Sequence, residues 1–495
     1  MFTQAQGGRL IWLLSLGLLI GAARPILGAV PPATVGEPAE AEEPHDEGSA
    51  DEAAEPAHGH SSRLTDEYIP LQLEIMPKRP KLLIEWGNPY LGTGRISPGK
   101  ELPGGAVWQP TLIFFGTLRS AVQTFDNGDQ RVTEWANRLD LFGNLQLTGT
   151  ERLVVGFRNF DRDGQFTSYV FEPELEDPWN EEFNSDIQAL YFEGDFGEIF
   201  AGLDPQDFGR NDIGFSIGRQ PLIFQEGMLL DDSVDGIGLT RNTLLPTNTS
   251  NFRLTFFAGF NNVNRVSVED ESANLFGLFT STDKRRSTID ADLVYVDGDQ
   301  EMVGDLLAAG VSFVQRIGKL STSFRVLGSS ALDEESVFAA DGGLFFSEFA
   351  WTPHYTRDHV YVTAFYALDE FTAAAQGPGT AGPLGRAGVN FAAVGLGSFG
   401  APLSSRARDV AGGAFGYQKF FGVLRRRQLL VEVGGRLGTV DEVGDEYALT
   451  LRYQMAMGRR VVLVFDGFGA NRDRLEAEAG SVSSVGGRFE FRLKF

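Results

Sequence analysis

The 495-residue sequence contains no cysteine, and its only long apolar run, near the N-terminus, is shorter than the roughly 18 residues that a membrane helix needs. Without cysteine there is no disulfide, no thiolate metal site, no haem-attachment motif and no lipoprotein cysteine. Basic residues are also few, since 42 Lys and Arg stand against 67 Asp and Glu and give a formal charge of -25. This acidic balance argues against a nucleic-acid partner, because phosphate binding needs a basic surface.

Phenylalanine and glycine are abundant, with 40 and 60 residues, yet the mean hydropathy is close to neutral at -0.12. Membrane β-strands produce this combination, because only every second residue of such a strand faces lipid. The composition therefore favours a membrane protein that crosses the bilayer with strands.

The last eleven residues, Val485–Phe495, alternate without a break between two kinds of side chain. Phe489, Phe491 and Phe495 share one face, and charged residues such as Arg488 occupy the other, because strand side chains alternate with period two. This segment resembles the C-terminal strand of bacterial outer-membrane barrel proteins, which commonly end in Phe. The resemblance implies a location in the bacterial outer membrane and a partner, the barrel-assembly machinery, which would bind the strand that ends at Phe495.

Residues 1–29 have the features of a secretory signal peptide: a basic Arg9, an apolar core from Leu10 to Ile20, and small residues before a cut after Ala29. The alternative, a membrane anchor, is disfavoured because eleven core residues are too few to span hydrocarbon.

Residues 30–67 are dominated by Pro, Ala and Glu and contain eleven acids against the single base Arg63. Such a segment cannot bury a core, so it predicts a disordered acidic periplasmic tail. His45, His58 and His60 in this tail are weak candidates for loose binding of a divalent cation, and a solvated spacer is the alternative.

Residues 68–107 contain short apolar runs that are cut by prolines, and they predict a linker or a partial plug of the lumen. Residues 108–495 contain recurring segments of about ten alternating residues, separated by Gly, Asp and Asn turns. Nineteen candidate strand starts occur, including one near residue 197. Because single-chain bacterial barrels have even strand numbers, we predict an all-β fold, a transmembrane antiparallel β-barrel of about 18 strands, with 16 as the alternative. Three long interruptions predict extracellular or lumen-folding loops: Asp161–Asn184, Asn261–Leu275 and Phe371–Ala407.

The lumen face of the predicted strands carries many arginines. A guanidinium group stays charged and binds carboxylates, so an arginine-lined channel favours anions. The alternative is that arginines pair with acids on adjacent strands and only stiffen the wall. The predicted pore-lining residues are Arg119, Arg138, Arg152, Arg158, Arg219, Arg253, Arg325, Arg436, Arg452, Arg488 and Arg492.

Three short stretches, Ala189–Gly197, Ile217–Gln220 and Asp235–Leu239, resemble the alginate-export porin family, in which a strand ends in a Gly-Arg-Gln element and an Asp-Gly strand follows. The resemblance covers about fifty residues. It implies an 18-stranded barrel, an arginine-rich constriction and export of an anionic polysaccharide, and among functional residues it carries over only Arg219.

Catalytic motifs find little support. The one Gly-x-Ser-x-Gly string, Gly214–Gly218, is followed by Pro221 in a strand-like context, whereas a nucleophile elbow needs a helix straight after the serine. We therefore predict no enzyme and no cofactor. The predicted function is an outer-membrane porin that passes hydrophilic solutes by diffusion, with anions or an anionic polysaccharide as cargo and membrane lipid as surroundings. The alternatives are a non-conducting structural or docking barrel of an envelope complex, or a barrel enzyme.

Overall fold

The computed structural model describes residues 82–88, 98–162, 164–203, 209, 211–265, 268–270, 273–298, 304–333, 336, 338–422, 424–474 and 480–495. The predicted signal peptide and acidic tail, with His45, His58 and His60, lie outside the described residues.

Eighteen antiparallel strands, here numbered β1 to β18, form one closed wall in which each strand pairs with its neighbours along the chain. The first nine are β1 Thr111–Asp126, β2 Arg131–Gln146, β3 Arg152–Arg158, β4 Ile187–Asp195, β5 Ile213–Phe224, β6 Leu230–Leu244, β7 Asn251–Phe260, β8 Asn274–Asp283 and β9 Ser287–Asp297. The other nine are β10 Leu306–Ile317, β11 Leu320–Ala331, β12 Gly342–Trp351, β13 His359–Phe371, β14 Val410–Phe421, β15 Arg427–Gly438, β16 Glu446–Met457, β17 Val461–Arg474 and β18 Gly480–Lys494.

The barrel closes between its first and last wall strands. Val485 of β18 lies opposite Asp126 of β1, and the register continues without a shift to Lys494 opposite Thr117. Beyond it, the amide of Gly116 donates to the carbonyl of Phe495 at 2.8 Å, and the amide of Phe495 donates back at 3.0 Å. The predicted closed barrel of 18 strands is confirmed.

One of the nineteen candidate strands is wrong. Residues 196–199 form a one-turn helix, α1 (Phe196–Ile199), and a 3-10 turn, Ala201–Leu203, follows it. Asp195 stops the preceding strand because its Oδ1 accepts a hydrogen bond from the amide of Gly197 at 2.8 Å, which caps the helix. The segment therefore turns at the rim instead of crossing the membrane.

Side chains alternate between a lipid face and a lumen face along the wall. On β16, Tyr447, Leu449 and Leu451 are about half exposed on the outside, whereas Ala448 and Thr450 between them are buried. Alternation of this kind gives an apolar outer belt around a more polar interior. No helix within the described ranges is long and apolar enough to cross a membrane.

The two ends of the barrel differ in the length of their connections. The turn Gly318–Lys319 between β10 and β11 is short, whereas residues 372–409 between β13 and β14 are long, and the two lie at opposite ends. Because outer-membrane barrels have short periplasmic turns and long extracellular loops, the end with Gly318 is periplasmic.

Short strands and 3-10 turns lie outside the 18 strands of the wall. Ile84–Trp86 pairs with β1 at the periplasmic rim, with Ile84 opposite Phe114, so this described part of the predicted linker or plug lies on the wall. The other short elements are Lys100–Glu101, Val107–Trp108, Asp161–Arg162, Gln165–Glu172, Trp179–Asn180, Val263–Arg265, Val268–Asp270, Ala375–Gln376 and Ala407–Arg408, with 3-10 turns at Gln225–Gly227 and Pro383–Ala387.

Two segments fold inward and fill part of the lumen. We call residues 225–229, between β5 and β6, the hairpin tip, and residues 372–406 the lumen loop. Leu229 of the hairpin tip and Leu384 and Phe391 of the lumen loop are fully buried, and they belong to one apolar cluster with wall residues such as Phe346. The wall residues of this cluster lie on strands from β5 to β16, toward the extracellular end of the lumen.

Candidate functional site in the lumen

The hairpin tip and the lumen loop meet inside the barrel and narrow it together. The amide of Ala374 donates to the carbonyl of Leu229 at 2.8 Å, and the amide of Gly377 donates to the carbonyl of Asp231 at the same distance. Leu230 and Ala375 lie opposite each other in a short parallel pairing. These backbone bonds hold the two inward segments as one unit.

Glu226 at the end of the hairpin tip bridges the wall and the lumen loop. Its carboxylate lies 2.5 Å from Nη2 of Arg325 on β11 and 2.5 Å from Nε of Arg386 in the lumen loop. Arg386 also lies 3.8 Å from Glu348 of β12. The side chains of Glu226 and Arg386 are 42% and 47% exposed, so this ion pair borders the open passage, whereas Arg325 is buried.

The backbone of the hairpin tip is strained where these contacts form. Gln225 and Glu226 have φ values of 50° and 55°, in the left-handed region that non-glycine residues rarely adopt. The side-chain Nε2 of Gln225 donates to Asp292 Oδ2 of β9 at 2.7 Å. Side-chain contacts with the wall therefore hold the tip in a conformation that its residues do not favour.

The far end of the lumen loop lies against β1 and β2. Arg119 Nη2 donates to the carbonyl of Val394 at 3.1 Å, and Arg138 Nη1 donates to the carbonyl of Gly395 at 2.9 Å. Gln123 donates to the carbonyl of Leu396 at 3.0 Å. The loop thus crosses the lumen from β13 to the opposite wall and divides the passage.

Glu432 of β15 anchors the middle of the lumen loop. Its carboxylate accepts the amides of Asn390 and Val389 at 2.7 and 3.0 Å, and it also accepts the hydroxyl of Tyr361. Asn390 is fully buried and accepts the hydroxyl of Thr450 at 2.5 Å. A loop with this many satisfied polar contacts is a fixed part of the barrel.

The predicted arginines form a ladder with acids around the strand closure. Asp466 of β17 lies 2.7 Å from Arg452 and also pairs with Arg488. Glu490 of β18 pairs with Arg488 at 2.8 Å. Arg119 of β1 and Arg492 of β18 each lie 2.6 Å from the same Glu490 carboxylate.

Six further predicted arginines face the lumen, and five of them pair with acids. Arg138 and Arg158 share Asp140 at 2.9 and 3.2 Å, and the remaining pairs are Arg152 with Glu193, Arg325 with Glu226, and Arg436 with Glu446 at 3.8 Å. Arg253 of β7 is exposed, and among the described residues its side chain makes no ion pair or hydrogen bond. Most lumen arginines are therefore neutralised by a carboxylate.

Arg219 requires a correction, because it does not face the lumen. Its neighbour Gln220 lines the lumen, and Arg219 shares the opposite face of β5 with Ile217, which is 50% exposed on the outside. Arg219 lies opposite Asp235 of β6, with Nε and Oδ1 2.9 Å apart, and Nη1 donates to the carbonyl of Ile187. The pair lies on the outer surface, toward the extracellular end.

A cavity of about 810 Å³ lies in the lumen below the hairpin tip. Strands β4 to β11 form its wall, with acids such as Asp290 and Asp292, the arginines Arg253 and Arg325, and many hydroxyl groups. Phe224 covers Phe279 at its upper edge, with ring centroids 3.4 Å apart.

Sequence reasoning missed Glu226, Arg386 and Glu348 as a group, because their contact joins three elements that are far apart along the chain. One signal was present: Leu384, Phe391 and Leu403 are apolar residues in a segment that was predicted to be a loop, and apolar residues in a loop indicate burial. Within the described ranges, no group of His, Asp and Glu is placed to hold a metal ion.

No protein-family model matches the sequence, and no curated protein matches it. The structure is similar to the crystal structure of OccK1 (OpdK) from Pseudomonas aeruginosa, with a TM-score of 0.52 and 12% identity, covering 78% of this chain and 98% of that one. A BenF-like porin from Pseudomonas fluorescens Pf-5 gives a TM-score of 0.52 at 11% identity, with 78% and 99% covered. OccK2 (OpdF) in complex with glucuronate gives 0.50 at 10% identity, with 78% and 98% covered.

The fold is that of bacterial outer-membrane porins. A closed barrel with an apolar outer belt is built to face lipid, and its location is the bacterial outer membrane, as the sequence predicted. The porin neighbours support the predicted porin fold, but they do not support the resemblance to alginate-export porins, which stays a prediction.

Proposed function

We propose that the protein is an outer-membrane channel for small hydrophilic solutes. The observation that carries this proposal is a lumen with a charged wall, narrowed by two inward segments to a passage beside the Glu226–Arg386 pair and a cavity of about 810 Å³ below it. Passage is diffusion through water, with no chemical step, and the charged groups at the narrow part select among solutes.

The inward segments favour small solutes over polymers. The apolar cluster around Leu229, Leu384 and Phe391 excludes water from one side of the extracellular half of the lumen. The lumen loop also crosses to Arg119 and Arg138 on the other side. Export of a polysaccharide, as the alginate-export resemblance implies, would require this loop to leave the wall.

Ion pairing at the arginines favours weak charge selectivity. A guanidinium group that already binds a carboxylate contributes little net field to the passage. A preference for anions is the second candidate, and two observations favour it. Arg253 and Arg386 are exposed in the lumen, and structures of two similar porins contain carboxylates, vanillate in OpdK and glucuronate in OccK2.

The test is single-channel recording of the purified mature protein in a planar bilayer under a salt gradient, combined with liposome swelling in sugars of increasing size. We expect discrete open-channel steps, a reversal potential near zero and a sharp size limit. A reversal potential displaced strongly toward that of the anion would favour the second candidate. A silent barrel that also admits no sugar would overturn the channel and favour a structural or docking barrel.

A further inference from the structure

Five adjacent strands carry a continuous line of polar side chains along one wall of the cavity, which we call the polar row. Arg253 of β7 lies opposite Ser281 of β8, and Ser281 lies opposite Asp290 of β9. Asp290 lies opposite Ser312 of β10, and Ser312 lies opposite Arg325 of β11. All five line the cavity. Because directly opposite residues on one face have Cβ atoms about 4.5–5.5 Å apart, the row presents cation, hydroxyl, carboxylate, hydroxyl and cation at regular intervals.

Much of the hydrogen-bonding capacity of this row is unused. Ser312 Oγ donates to Asp290 Oδ2 at 3.0 Å, and Arg325 pairs with Glu226. The guanidinium of Arg253, the hydroxyl of Ser281 and the second oxygen of Asp290 have no side-chain partner among the residues that the structure describes. The row therefore offers both free donors and a free acceptor to whatever enters the cavity.

The order of charges disfavours a solute with net charge. An anion that approached Arg253 would also approach Asp290 two strands away, and a cation that approached Asp290 would also approach Arg253. At such separations in a partly dry lumen, repulsion offsets much of the attraction. A hydroxyl group suits this surface, because it can donate to Asp290 and accept from Arg253.

We propose that the polar row is a binding site for a neutral hydroxylated solute, a monosaccharide or disaccharide. The cavity volume of about 810 Å³ lies within the roughly 300–1,000 Å³ of sites for small molecules. Phe224 also lines it and provides an apolar surface for the C–H face of a sugar ring. This inference rests on the proposed channel function, since a solute reaches the cavity only through the lumen.

The test is isothermal titration calorimetry of the detergent-solubilised mature barrel with maltose, potassium gluconate and lysine hydrochloride. We expect saturable binding of maltose and weaker binding of both charged probes. Arg253→Gln and Asp290→Asn should each weaken maltose binding about tenfold or more, because each removes a hydrogen bond to a charged group. The matched control is Arg316→Gln, an arginine of β10 outside the cavity, which should leave maltose binding unchanged.

The two variants also give opposite second readouts. Arg253→Gln leaves Asp290 with less opposing charge, so it should strengthen lysine binding, whereas Asp290→Asn leaves the exposed Arg253 with less opposing charge and should strengthen gluconate binding. Wild-type protein that binds gluconate or lysine more tightly than maltose, or that binds none of the three, would overturn the inference. An open channel in the bilayer recording with no maltose binding would overturn the inference alone. A barrel that conducts no ions and admits no sugar in the swelling assay, but still binds maltose, would overturn the proposed function alone.

Discussion

Arg488 and Glu490 project into the lumen from the same strand, with Nη1 and Oε2 2.8 Å apart, and both side chains have no solvent exposure. Glu490 also binds Arg119 and Arg492, so three guanidinium groups surround one carboxylate. Arg488 in turn reaches Asp466 on the neighbouring strand. A buried ion that lacks its partners destabilises the folded state. Loss of any central member of this network should therefore destabilise the barrel.

Arg488→Met should lower the free energy of unfolding by about 3–5 kcal/mol, because it leaves Asp466 and Glu490 buried with one cation fewer. The measurement is urea unfolding of the barrel refolded in detergent. Arg162→Met is the control, since its pair with Asp186 spans 3.7 Å between half-exposed groups and should contribute about 0–1 kcal/mol. Equal losses in both variants would contradict a special role for the network.

Glu226→Gln should widen the passage. The change leaves the buried Arg325 without its carboxylate and frees Arg386 to move away from the hairpin tip. We expect a larger and noisier single-channel conductance in the planar bilayer. Glu198→Gln, an exposed acid of α1 at the periplasmic rim, should leave the conductance unchanged. An unaltered Glu226→Gln channel would show that the ion pair does not border the narrowest point.

Arg452→Ala and Arg219→Ala should differ in their effect on ion selectivity. Arg452 faces the lumen, and its loss leaves Asp466 with one partner fewer. The reversal potential should therefore shift toward the equilibrium potential of the cation. Arg219 pairs with Asp235 on the outer face, so its loss should leave the reversal potential unchanged. A shift with Arg219→Ala of the same size would contradict the outward placement.

Gly397→Ala should release the end of the lumen loop from the wall. Gly397 has a φ of 62°, and an added Cβ would lie 2.3 Å from both Gln123 Nε2 and Glu134 Oε1. Gly379→Ala is a matched control, because it has a similar φ of 71° with open space around it. Both changes carry backbone strain of about 1 kcal/mol, but only Gly397→Ala should raise conductance and make the loop sensitive to added protease.

Asp358, in the periplasmic turn before β13, should make the stability of the fold depend on pH. The hydroxyl of Tyr417 and the amide of Phe420 donate to its carboxylate and hold its pKa below the usual value. A carboxyl group with a lowered pKa stabilises the fold at neutral pH, and this contribution is lost as the pH falls through the folded-state pKa. Thermal unfolding from about pH 6 to pH 2 should therefore show a steeper loss for wild type than for Asp358→Asn.

The wall was predictable because its signal is local. Apolar residues such as Tyr447, Leu449 and Leu451 alternate with their neighbours, and this pattern repeats in strand after strand. In each strand it distinguishes the lipid face from the lumen face. The extra strand near residue 197 was predicted because alternation alone does not register the cap that Asp195 provides. The outward placement of Arg219 was also readable, since Ile213, Ile217 and Ile223 mark its face of β5 as the outer one.

The side-chain pairs inside the lumen were not predictable, because they join residues that are far apart along the chain. Arg119 and Glu490 are 371 positions apart, and they meet only because β18 closes on β1. Glu226 and Arg386 meet only because two loops fold into the same space. The sequence lists the charges on the lumen face, but the pairing between them depends on barrel closure and on the path of the lumen loop.

The pairing of Gly116 with Phe495 also constrains the order of folding. The two edge strands of the wall come from opposite ends of the described chain, so neither edge is covered until the last strand has been made and inserted. Closing so long a segment is entropically costly and slow, and in the meantime β1 and β17 present unpaired backbone edges. Exposed edges of this kind template aggregation, so we expect the unfinished chain to need a chaperone for most of its lifetime before insertion.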